Sequence, residues 1–61
     1  MSEPKVKTRV APPYEGRPAW YGLWLDGGIW RLVRNDNELP IIYKTEQAAL
    51  NAAKYVAGIE P

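Results

Sequence analysis

Sixty-one residues make one domain at most, and a chain this short buries only about 60% of the surface its unfolded form exposes. With no Cys and no His, zinc fingers, disulfide scaffolds, thiol redox motifs and His-based catalysis are excluded. Eight basic and seven acidic residues leave a net charge of +1, too weak a balance to imply nucleic acid by itself.

Residues 1–18 hold four of the six prolines and four of the eight basic residues, and read as a Pro-rich basic arm. Val6, Thr8 and Val10 alternate with Lys5, Lys7 and Arg9. That pattern suits either a short edge strand with one basic side or a solvated, frayed terminus. Pro4, Pro12, Pro13 and Pro18 oppose a continuous strand or helix. Pro12 to Gly16 reads as an extended segment entering a turn. The first seven residues carry charge without the apolar core of a signal peptide, and no run approaches the roughly 18 apolar residues of a membrane span. The expected setting is the cytoplasm.

A β-hairpin follows, with strands at about 19–25 and 29–34 joined through Asp26, Gly27 and Gly28. A two-residue turn places Leu23 and Leu25 beside Trp30 and Leu32, whereas a three-residue loop sets Leu23 across from Arg31. Segregation of apolar side chains selects the two-residue turn. Asn35 to Glu38 is a second turn, rich in residues that form Asx turns or tolerate the left-handed region. A third strand is expected at about 39–43, beginning near the sheet edge because Pro40 lacks an N–H.

The last element is a helix at about 46–57. Thr45 is its candidate N-cap, Glu46 and Lys54 complement the dipole, and Gly58 stands where a left-handed C-terminal residue belongs. Ala49, Leu50, Ala53, Val56 and Ala57 form a thin apolar stripe suited to a sheet with large side chains. Tyr55 and Ile59 fall outside it. The expected fold class is therefore α+β: a three-stranded antiparallel β-meander with one C-terminal helix on one face, the domain proper being 19–61.

All three tryptophans lie between Trp20 and Trp30, and alternation divides them between two sheet faces. Tyr21, Leu23, Leu25, Trp30 and Leu32, with Leu39, Ile41 and Tyr43, are expected beneath the helix. Trp20, Trp24, Ile29, Arg31, Val33 and Ile42 are then left on the outer face. Tryptophan, aliphatics and arginine together have the make-up of an interface hot spot. Trp20, Trp24, Arg31, Val33 and Ile42 are the candidate partner-binding residues, for a second copy or a larger protein. The alternative cover for that face is the arm itself, folding back through Val6, Val10 or Tyr14.

A second candidate is nucleic acid. Tyr14, Trp20, Tyr21 or Trp24 could stack bases, while Lys5, Lys7, Arg9, Arg17, Arg31 and Arg34 neutralise phosphates. The segment GIWRLVRNDNELPIIYKTEQAALNAAKYVAG resembles small β-β-β-α modules of bacteria and phages, among them the arm-type N-terminal DNA-binding domains of phage tyrosine integrases. The resemblance covers about half the chain and rests on a W-x-x strand followed by Y/F-x-T-x-x-x-A and an Ala-rich helix. It implies a sheet that enters the major groove, and Arg31 and Arg34 are the residues that answer to that role here.

Catalysis has no such support. Asp26 and Asp36 belong to turns, no nucleophile has an evident base, and Asp-Gly-Gly lacks the Gly-Lys-Ser/Thr of a phosphate loop. A chain of this size was also expected to have little room for a pocket of about 300 Å³ or more. No metal, no cofactor and no enzymatic activity are expected. The sequence thus points to a small non-enzymatic protein-interaction module, an accessory protein of bacterial or phage type, with nucleic-acid binding as the alternative.

Overall fold

The computed structural model describes residues 5–59; residues 1–4 of the expected arm, and residues 60–61, lie outside it. Strand β1 is Val6–Tyr14, β2 is Arg17–Asp26, β3 is Ile29–Leu32, and helix α1 is Glu46–Ala57. The three strands form one antiparallel sheet in the order β1-β2-β3. This is the α+β class anticipated, a meander with one C-terminal helix.

The strands differ in identity. The first strand comes from the arm, and residues 39–43 do not form a strand. Val6 to Ala11 pair with Trp24 to Ala19, and the register shifts between Ala11 and Tyr14. Pro12 and Pro13 fall inside that irregularity on an edge strand, where a missing N–H breaks no ladder. Glu15 and Gly16, both at positive φ (53° and 75°), close the hairpin in two residues. Residues 39–43 manage only isolated pairings: Pro40 with Arg34, and Tyr43 with Trp20. The Trp20–Tyr43 pair exchanges two backbone hydrogen bonds of 2.9 Å.

The second hairpin matches the two-residue expectation. Gly27 and Gly28 take φ of 59° and 88°, Asp26 pairs with Ile29, and Leu23 and Leu25 lie across from Leu32 and Trp30. In the following loop the Asn35 side-chain oxygen accepts from the N–H groups of Asn37 and Leu39, at 2.8 and 3.1 Å. This is the Asx turn that its composition suggests.

Helix α1 has the expected bounds and caps. Thr45 Oγ1 accepts from the Ala48 N–H at 3.1 Å. At the other end Gly58 is left-handed, with its N–H directed to Tyr55 O and that of Ile59 to Lys54 O, which is a Schellman closure. Ala49 and Ala53 are wholly buried.

The helix covers the opposite sheet face from the one anticipated. A Cβ placed on Gly22 would lie 2.5 Å from the Ala49 carbonyl oxygen and 3.3 Å from Val33 Cγ2. The helix backbone therefore rests on the Gly22 side of β2. Trp20 and Trp24, two residues to either side, share that side and flank the helix. Thr8, the cross-strand partner of Gly22, hydrogen-bonds Glu46 of the helix at 3.2 Å. Leu23, Leu25, Trp30 and Leu32 accordingly lie on the other face. The reason is steric: a helix backbone can approach a strand this closely only where no side chain stands between them.

Gly22→Ala should lower the unfolding free energy by about 1–3 kcal/mol, the range for forced overpacking. Thr45→Ala should cost about 1 kcal/mol through the lost cap. Urea denaturation followed by helical circular dichroism measures both. An unchanged midpoint for Gly22→Ala would contradict the packing described.

Candidate binding face

Register and alternation define the face turned away from the helix. From β1 it carries Lys7, Arg9 and Ala11; from β2 Ala19, Tyr21, Leu23 and Leu25; from β3 Trp30 and Leu32. None of the strand residues on this face is acidic. Lys7 reaches across so that its ammonium lies 4.2 Å from the Trp30 ring centroid. At a partly exposed site such a contact contributes on the order of 0.5–1 kcal/mol. Leu23, between Lys7 and Leu32, is only 7% exposed. Tyr21, Leu25, Trp30 and Leu32 around it remain half-buried. Arg9 is the cross-strand partner of Tyr21.

The residues singled out from the sequence as partner-binding are dispersed. Val33 is buried, at 5% exposure, and packs toward Gly22 beneath the helix. Trp20 and Trp24 are half-buried on the same side. Arg31 lies there too, its Nε 2.7 Å from Asp26 Oδ2, both side chains about half exposed. A pair so open to solvent adds little stability, but Asp26 offsets the arginine's charge. Ile42 is exposed on the other side, beside Ala19, because its neighbour Tyr43 pairs with Trp20. The helix lies over the tryptophan face; of the arm residues named as its alternative cover, Val10 and Tyr14 are exposed, and Val6 is half-buried as the cross-strand partner of Trp24.

The basic residues divide similarly. Lys7 and Arg9 share the open face. Lys5 is exposed just before β1, its carbonyl accepting from the Leu25 N–H at 2.9 Å. Arg34 is exposed near the loop end, where with Trp24, Arg31, Glu38 and Val56 it borders a shallow hollow of about 290 Å³. Arg17 pairs with Tyr14 at the far end of the first hairpin. These two, with Glu15, Pro18, Ala19, Ile42, Tyr43 and Lys44, border an open cleft of about 510 Å³. The cleft is larger than the length of the chain suggests.

Tyr21, Leu25, Trp30 and Leu32, placed beneath the helix by sequence patterning, lie half-buried on the opposite face. The sign that could have placed them correctly is Gly22, an interior strand glycine of the kind that marks a close backbone approach.

Among the described residues no helix is long and apolar enough to cross a membrane. The fold and this face describe a small α+β protein with one helix-covered and one open sheet surface. No protein-family model, curated protein or solved structure matches the chain.

Burial raises the Tyr43 phenol above its ordinary value of 10.0. The fold favours the neutral phenol, so its contribution is whole below about pH 10 and is lost as pH climbs through the folded-state value. Alkaline titration of stability should show a decline over that window, reduced in Tyr43→Phe. Identical pH profiles for the two proteins would remove the assignment.

Proposed function

We propose that this chain is a small non-enzymatic interaction module that docks onto a larger partner through the helix-free face of its sheet. The observation that carries the reading is that Tyr21, Leu25, Trp30 and Leu32 stay only half-buried around Leu23 on the sheet face opposite helix α1. Exposed apolar patches on small proteins mark contact sites, and aromatic residues flanked by cations are the composition expected there. The cytoplasm and an accessory role, as the sequence suggested, complete the proposal.

Of the two protein modes anticipated, self-association and docking, the charges favour docking. A two-fold pairing of this face would bring Lys7 and Arg9 near their own copies, with no strand carboxylate to compensate. Leu25 and Leu32 suit a protein surface. Nucleic acid is the second reading, favoured by Lys7 and Arg9 standing among Tyr21 and Trp30.

Sedimentation should give a monomer. Immobilised protein should retain a partner from its host's extract, and Trp30→Asp should lose it while Tyr55→Ser, on the exposed helix surface, keeps it. A dimer dissolved by Trp30→Asp would replace docking with self-association. Equal retention by both variants would remove the face from the proposal.

A further inference from the structure

One cation–aromatic contact and two cross-strand Arg–Tyr neighbours lie along the first hairpin and its neighbour. Lys7 covers Trp30, Arg9 is the cross-strand partner of Tyr21, and Arg17 is the cross-strand partner of Tyr14. Trp30 lies across from Leu25 and Tyr14 across from Arg17, so the rings fall level with β2 positions 25, 21 and 17, and the cations Lys7, Arg9 and Arg17 with positions 23, 21 and 17. The rings are thus four residues apart, about 13 Å along a strand. Tyr14 and Arg17 border the 510 Å³ cleft, together with Glu15. Lys44 stands on the same cleft.

The chemistry that matches such a surface has a flat apolar part and an anionic part in regular alternation. Stacked bases and phosphates supply both. A duplex does not, because its base faces are hidden in the stack and only polar edges and phosphates are presented. Against a duplex, Leu25, Leu32 and Trp30 would meet polar surface. An acidic protein segment would satisfy Lys7 and Arg9, but it offers no planar counterpart to each ring. Unpaired bases can lie against Tyr14 and Tyr21, and on Trp30 once Lys7 turns from its ring to a phosphate, while the adjacent cations neutralise the backbone.

We infer that the helix-free face binds single-stranded nucleic acid, with Trp30, Tyr21 and Tyr14 as stacking platforms and Lys7, Arg9 and Arg17 as phosphate partners. This rests on the helix-free face being the binding face, as proposed above, and takes up the nucleic-acid reading of that face. Arg31, tied to Asp26 on the helix side, takes no part, and neither do Trp20 and Trp24.

Fluorescence anisotropy with a labelled thymidine oligomer of about 12 nucleotides tests it, against a duplex of equal length and polyglutamate. The oligomer should bind at low salt, more tightly than either competitor, and quench part of the tryptophan emission. Trp30→Leu and Tyr21→Ala should each weaken binding roughly five- to a hundredfold, with the circular dichroism of the helix retained. Lys7→Gln and Arg9→Gln should each reduce the log–log salt slope by about 0.7, whereas Arg31→Gln should leave it unchanged. If Tyr21→Ala fails to fold, Tyr21→Phe should keep both fold and affinity. Tighter binding of the duplex, equal binding of polyglutamate, or an Arg31→Gln effect matching that of Lys7→Gln would overturn the inference. So would absence of oligomer binding; if partner retention from extract still depended on Trp30, the docking function would stand without it.

Discussion

The close passage of helix α1 over Gly22 is the constraint on which the rest of this small structure depends. A strand glycine removes the one side chain that would hold the helix off, and two wholly buried alanines, Ala49 and Ala53, bring the helix down to meet it. Trp20 and Trp24 then act as walls to either side, supplying apolar mass that no disulfide or metal provides in a chain without Cys or His. Which sheet face becomes interior follows from the parity of residue 22, because side chains alternate strictly along β2. Through the register, that one position also fixes the side taken by Val6 to Ala11 of β1 and by the residues of β3.

Charge is sorted by the same alternation. Asp26 and Arg31 fall on the helix side, where they pair with each other at 2.7 Å. Lys7 and Arg9 fall on the other side, where no strand carboxylate meets them. A chain that is almost neutral overall therefore presents a locally basic, aromatic surface. Net charge alone would hide it, since the described acidic residues lie in turns, in the helix and on the opposite face.

Much of the fold was legible because it is written locally. Thr45, Glu46, Lys54 and Gly58 mark the helix by capping chemistry that needs no tertiary context. Gly27-Gly28 sets the second hairpin by φ alone. The first hairpin was harder to read, because Glu15 is an unusual residue at a positive φ and Pro12-Pro13 argue against a strand unless a bulge on an outer edge absorbs them. Residues 39–43 carry a convincing strand pattern, yet β3 runs only from Ile29 to Leu32 and the loop after it leaves them two isolated pairings. The candidate face was misjudged by a single parity. Both faces of the hairpin are apolar, so hydrophobic patterning could not choose between them, and the choice lay in how near two backbones can come.

Pro12 and Pro13 have one more consequence. The outer rim of β1 would otherwise be a long row of amide groups inviting another copy to zip alongside, a standing hazard for a protein with little mass and much grease. Two consecutive imino acids at the irregular end of that rim interrupt the row of donors. Growth of the sheet by stacking chain upon chain is blunted at that end of the rim.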